Sequence, residues 1–176
     1  YYCSQIAFVP QKPMTALDPS RKIGVQMAEF LRLHQSVSKK DMLCLCEQAI
    51  IQAGLTDTKR VLNSRPYQLS GGMLQRVLIA LAIAGKARLV IADEPTTALD
   101  AVHRDQAVEQ FLKLREQGCA ILIVTHDFDV ARHMGGHVLI MKEGQMVEQG
   151  CAKEVLQNPK AGYTKELIEA IHLGWG

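Results

Sequence analysis

Apolar residues first gather in Ser4-Gln-Ile-Ala-Phe-Val9, a short run that reads as a buried strand stopped by Pro10. Two further prolines, Pro13 and Pro19, and the lack of any periodicity make Gln11 to Ser20 a loop. Apolar positions then recur at helical spacing through Val25, Met27, Ala28, Leu31 and Leu33, between Ile23 and His34. They recur again from about Ser38 to Ala53, where Gly54 ends the pattern. Two helices joined by polar turns are therefore expected before Tyr67. Another helix is expected after Gly71-Gly72, from Met73 to about Gly85, with Val77, Leu78, Leu81 and Ala82 on its apolar face.

Beyond Lys86 the period changes. Leu89-Val-Ile-Ala92 is a continuous apolar run of strand length, followed by a polar turn and a helix from about Val102 to Gln117, closed by Gly118. Ala120-Ile-Leu-Ile-Val124 is a second such run. A short helix follows from about Asp127, then two strands, Val138 to Met141 and Gln145 to Glu148, joined at Glu143-Gly144, and two short helices near Lys153 to Leu156 and Tyr163 to Ile171. Strand, helix and strand in alternation, with strands apolar on both faces, predict a parallel α/β sheet. The expected organisation is a core strand and loop at 1–13, a helical subdomain at 14–87 and the remaining α/β core at 88–176.

The composition changes this picture little. The chain has 176 residues, 48% of them hydrophobic and 22% charged, with a mean hydropathy of +0.01, which is the profile of an ordinary globular domain. Its 20 basic and 18 acidic residues leave a net charge of +2, which argues against a dedicated nucleic-acid binder. The longest apolar run, Val77 to Ala84, is far short of the roughly 20 residues that cross a bilayer. Five cysteines without framework spacing point to a reducing compartment, and Cys44 and Cys46 read as filler in a packed helical face rather than as metal ligands. The chain opens at Tyr1 with an apolar run already under way, so it is expected to be part of something longer.

Four places carry chemistry. Asp93-Glu94 follows an apolar strand directly, where an α/β sheet presents groups to ligands; Asp93 could hold a hard cation and Glu94 could take a proton from water, or both could simply end the strand in solvent. Ser70-Gly71-Gly72 precedes a helix, where freed N–H groups, a hydroxyl and two glycines suit a phosphate; an ordinary serine N-cap has the same sequence. His126 follows the run ending at Val124 and could donate to a phosphoryl oxygen or merely start a helix. Gln11 lies in the loop after the first strand, where its amide could hold water or metal. His126, His133 and His137 are closely spaced, but no matching carboxylate or cysteine set accompanies them, so a metal cluster is not expected there.

The order of these signals is more specific than any one of them. Val9-Pro-Gln11, Leu69-Ser-Gly-Gly-Met73, Leu89-Val-Ile-Ala-Asp-Glu94, Ala98-Leu-Asp100 and Val124-Thr-His126 resemble, in turn, the Q-loop, signature, Walker B with its glutamate, D-loop and H-loop of ABC transporter nucleotide-binding domains. Met14-Thr-Ala-Leu-Asp-Pro19, Tyr67-Gln-Leu-Ser-Gly-Gly-Met-Leu-Gln-Arg76 and Asn158-Pro with Tyr163-Thr164 are similar to the peptide/nickel importer group. Lys160-Ala161-Gly162 departs from the His-Pro usual there.

The resemblance implies a P-loop NTPase-like ABC ATPase core with an inserted helical subdomain, and ATP and Mg²⁺ as ligands. It implies that Asp93 holds Mg²⁺ through water, that Glu94 is the general base, that His126 meets the γ-phosphate, and that Gln11 senses Mg²⁺ and γ-phosphate and links to the membrane partner. Ser70, Gly71 and Gly72 would cap ATP bound by the opposite subunit, with Asp100 at the shared interface. The implied partners are transmembrane permease subunits, a second ATP-binding subunit, identical or related, and indirectly an extracytoplasmic substrate-binding protein, with no nucleic acid. The implied place is the cytoplasmic face of the membrane, as a peripheral subunit. The family's phosphate-binding loop, GxxxxGK(S/T), occurs nowhere in the 176 residues. The N-terminal Walker A part is therefore expected to be lacking from this chain, which alone is expected to be inactive. A soluble ABC ATPase of DNA repair or translation is the alternative; the gap between Gln11 and Ser70 has room for a compact helical insert rather than the long coiled coil of repair ATPases. A catalytically silent docking module is a third reading.

Overall fold

The computed structural model describes residues 2, 3, 5–34, 38–97, 99 and 101–172. The chain forms two compact units, Tyr1–Val124 and Thr125–Gly176. The expected helical stretch and the strands around it lie together in the first.

That unit is built on a four-stranded sheet in the order β1 (Tyr2–Cys3), β2 (Ile6–Val9), β3 (Leu89–Asp93) and β4 (Ala120–Val124). Strands β2, β3 and β4 run parallel, with Val9 opposite Ala92 and Asp93 opposite Val124, and β1 is antiparallel to β2. The parallel sheet expected from the apolar runs is present. Two-residue β1 was not anticipated, being too short to show a period.

The connection from β2 to β3 is helical. It comprises α1 (Ile23–His34), α2 (Lys39–Gln52), α3 (Thr58–Asn63) and α4 (Gly71–Ala84), with 3-10 turns at Pro13–Ala16 and Pro66–Gln68. The apolar periodicity predicts two helices before Tyr67; α3 is a third. Its six residues hold too little periodicity to be seen, although Asp57 caps it by accepting the Arg60 N–H at 3.1 Å. Helix α5 (Ala101–Glu116) connects β3 to β4.

Helix α4 holds this unit together. Val77, Leu78, Ile79 and Ala80 are each fully buried, on all sides of the helix, and α4 packs against α1, α2, α5 and β2. A helix that is apolar all round has to be enclosed by its neighbours. Met27 and Leu31 of α1 and Ile50 of α2 are likewise fully buried. Cys46 lies in this core and burial pushes its thiol up to about 11, while Cys44 is exposed, so only one of the two is packing filler.

The second unit contains α6 (Phe128–Met134), an antiparallel hairpin of β5 (His137–Lys142) and β6 (Gln145–Cys151), α7 (Ala152–Gln157) and α8 (Gly162–His172). Glu143 and Gly144 both have positive φ, 51° and 77°, as a two-residue hairpin turn requires. Glu148 of β6 fastens the entry to α8. The buried Thr164 hydroxyl lies beside its carboxylate without completing a hydrogen bond, and Glu148 accepts the N–H groups of Lys160 at 2.9 Å and Ala161 at 3.1 Å. Together the hydroxyl and these donors hold the Glu148 carboxyl below its ordinary range. Among the described residues no helix is long and apolar enough to cross a membrane.

Two outcomes follow from this packing. A Cβ on Gly24 would stand 2.9 Å from the Leu62 carbonyl oxygen, whereas one on Gly71 meets nothing within 4 Å. Urea unfolding should therefore show Gly24→Ala destabilised by about 1–3 kcal/mol and Gly71→Ala neutral or slightly stabilised. Because folding lowers the pKa of Glu148, its contribution is present above the ordinary glutamate value of 4.5 and is lost as pH falls below it. Stability measured against pH should fall more steeply in wild type than in Glu148→Gln below that value.

Candidate functional site

Parallel strands deliver their C-terminal ends to one edge of a sheet, and that edge is where α/β folds hold ligands. Strand β2 ends there at Val9, with Gln11 exposed two residues on; β3 ends at Asp93, which is half-buried; β4 ends at Val124. Gln11, Asp93 and Glu94 thus issue from one edge of one sheet.

Glu94 turns the chain sharply. Its φ is +46°, a left-handed conformation that costs a non-glycine residue on the order of 1 kcal/mol. Hydrogen bonds hold it there: the Glu94 N–H donates to the Val124 carbonyl at 2.8 Å, and the Thr97 hydroxyl donates to Glu94 Oε2 at 2.9 Å. Pro95 and Thr96 are buried beneath the turn, and the Leu99 N–H donates to the Thr96 carbonyl at 3.0 Å.

This loop reaches the start of α4. Leu99 Cδ2 lies 3.1 Å from where a Cβ on Gly72 would stand, so a side chain at 72 would press on the loop. Ser70 is the N-cap of α4 and accepts the Met73 N–H at 3.3 Å, which leaves its hydroxyl proton for another acceptor. Ser70 and Gly71 are exposed, and Gly71 stands in open space. A helix N-terminus presented this way fits an anion. The N-cap and phosphate-site readings of Ser70 are therefore compatible.

One turn into α4, Arg76 Nη1 donates to the Gly54 carbonyl at 3.2 Å, and Nη2 donates to Gln106 Oε1. Arg76 thereby ties the end of α2 to α4 and α5. Gln75 beside it is 3% exposed, and its Nε2 has no hydrogen-bond partner among the described residues. The contacts of Thr97 and Arg76 emerge only in the structure. The three-residue spacing from Glu94 to Thr97 is a recognisable turn signal, but the reach of Arg76 to Gly54 and Gln106 has no local mark.

His126 belongs to the second unit and follows β4 by two residues. It is exposed, next to Thr125, whose Oγ1 accepts the Asp127 N–H at 3.0 Å, and Asp127 in turn caps α6. Asp100 lies outside the described residues. Among the described residues no group of three or more His, Cys, Asp or Glu side chains could hold a metal ion. A cleft of about 350 Å³ lined by Ile51, Gln110 and Leu114 contains none of the candidate residues.

Residues 2–97 match the family model described as ABC transporter. The chain belongs to that family. A metal-staphylopine import system ATP-binding protein of Staphylococcus aureus is 42% identical over 169 residues, 96% of this chain and 62% of that protein. An oligopeptide transport ATP-binding protein of Lactococcus lactis is 40% identical over 95% of this chain and 50% of its own length. The chain thus spans about half to three-fifths of the length of these curated relatives. Among solved structures, cbiO1 from Clostridium perfringens, part of the ABC transporter complex cbiONQ, is similar with a TM-score of 0.75 and 26% identity, covering 97% of this chain and 64% of that one. The dimeric ATP-binding cassette MJ0796, in a post-hydrolysis state bound to ADP and Pi, has a TM-score of 0.74 and 30% identity, covering 84% of this chain and 63% of that one. The fold of this ABC family member is accordingly that of the ABC ATPase core.

The N-cap bond gives a direct test. Ser70→Ala removes the acceptor for the Met73 N–H, and should cost about 1 kcal/mol. In a thermal melt this corresponds to a midpoint lower by roughly 2–4 °C.

Proposed function

We propose that this chain carries the signature, Walker B and H-loop part of an ATP-hydrolysing, energy-coupling subunit of an ABC importer for peptides, nickel or metal chelates. The observation that carries the reading is the joint placement of Asp93-Glu94 at the end of a central parallel strand and of Gly72 against the same loop, through Leu99. The transport named for the relatives, peptides in one and metal-staphylopine in another, supports the cargo class.

In this reading residues 14–87 form the helical subdomain and 1–13 with 88–176 the α/β core. Asp93 would hold Mg²⁺, its carboxylate oxygens suiting a hard cation. When bound, Mg²⁺ supplies positive charge against the phosphate oxygens. The water oxygen forms a bond to the γ-phosphorus while the bond to the β,γ-bridging oxygen breaks; Glu94 takes the water's proton, and ADP and phosphate leave. His126 donates to a γ-phosphate oxygen. Ser70 and the N–H groups at Gly71 and Gly72 bind the γ-phosphate of ATP held by a second ATP-binding subunit, and Asp100 lies at that interface. Positioning and charge stabilisation do the catalytic work. Gln11 carries the state of the site to transmembrane permease subunits, to which an extracytoplasmic binding protein brings the cargo. The subunit works at the cytoplasmic face of the membrane.

Calorimetric titration with Mg-ATP tests the division of labour. These residues contain no GxxxxGK(S/T) sequence, whose backbone N–H groups and lysine anchor the phosphates. The chain alone should bind Mg-ATP at best weakly, and tight binding by the monomer would contradict the proposal.

A further inference from the structure

We propose that Thr97 is a positioning residue for hydrolysis, acting through Glu94; this rests on the reading of Glu94 as the general base. Glu94 is held in a left-handed conformation with φ +46°, and this sets the direction in which its side chain leaves the strand end. The orientation of the carboxylate at the end of that side chain is a separate matter. A glutamate side chain has three rotatable bonds, and the last of them, to the carboxylate, is soft.

The Thr97 hydroxyl restrains that group. Its Oγ1 stands 2.9 Å from Glu94 Oε2 and 3.4 Å from the Glu94 carbonyl oxygen, so its single proton is directed to the carboxylate. The Thr97 N–H also points back to the Glu94 carbonyl at 3.4 Å, so the same residue touches both the backbone and the side chain of the turn. Bonding Oε2 fixes the plane of the carboxylate and thereby the direction of its other oxygen.

Thr97 is in turn fixed from both sides. The buried Thr96 precedes it, and Leu99, packed on the Gly72 position, follows two residues later. The donor that orients Glu94 is therefore carried by the short loop that packs, through Leu99, on the Gly72 position. A general base must lie within hydrogen-bond reach of the proton it removes, and a misplacement of about 1 Å costs as much as a hundredfold in rate.

Thr97 is exposed, so substitutions there should leave the fold intact. The test is steady-state ATP hydrolysis by the complete ATP-binding subunit that contains these residues, comparing Thr97→Val, Thr97→Ser and Glu94→Gln with wild type. Thr97→Val keeps the shape and removes the hydroxyl; it should lower kcat by about ten- to a hundredfold with KM for ATP unchanged. Thr97→Ser keeps the hydroxyl and should restore kcat. A Thr97→Val variant with wild-type kcat, or a Thr97→Ser variant as slow as Thr97→Val, overturns the role of Thr97 while leaving Glu94 as base. A Glu94→Gln variant that still hydrolyses ATP at the wild-type rate overturns the reading of Glu94 itself, and the role of Thr97 with it.

Discussion

The enclosure of α4 is the constraint on which the first unit depends. Fully buried apolar residues on every side of one helix require neighbours on every side, and α1, α2, α5 and β2 supply them. Burying a single leucine or valine side chain contributes about 1.5–3 kcal/mol, so the run from Leu74 to Ala82 is a large part of what offsets the entropy of ordering the unit. Because α4 begins at Gly71-Gly72, the same burial fixes where that N-terminus is presented. Arg76 extends the connection through polar contacts to the end of α2 and to α5.

The sheet supplies the second half of the arrangement. Parallel pairing of β2, β3 and β4 brings Val9, Ala92 and Asp93 to one edge, and the left-handed turn at Glu94 ends β3 abruptly enough for the following loop to cross to α4. Strain at Glu94 persists because the Val124 carbonyl and the Thr97 hydroxyl both engage it. The loop and the helix start form one contact surface through Leu99 and Gly72, although the sequence separates the two motifs.

How much of this could be read in advance depended on whether the signal was local. Helices α1, α2 and α4 were legible because apolar residues repeat over three or more turns, and β3 and β4 because apolar runs of four and five residues sit between turns. Helix α3 was missed because six residues span less than two turns. Cys44 and Cys46 share a pattern in the sequence but lie two residues apart on a helix, which turns them to different faces. The division of the chain after Val124 depends on contacts between distant residues, which no window of sequence contains. Among the candidate site residues, Gln11, Asp93 and Glu94 could be placed at strand ends in advance. The contact of Leu99 with the Gly72 position could not, since it depends on how α4 packs against the sheet.

The pairing of β2 with β3 also has a kinetic side. Ile6 meets Leu89 only across the whole helical stretch, so this register closes a long loop before any of its ladder bonds can form. Non-local parallel pairing of this kind is slow, and rates fall as the mean sequence separation of contacts rises. The helices between the strands contain mostly local contacts and can form while β3 is still unpaired. During synthesis β2 therefore emerges long before its partner, and its apolar Ile-Ala-Phe-Val run waits for α4 and β3 to reach it.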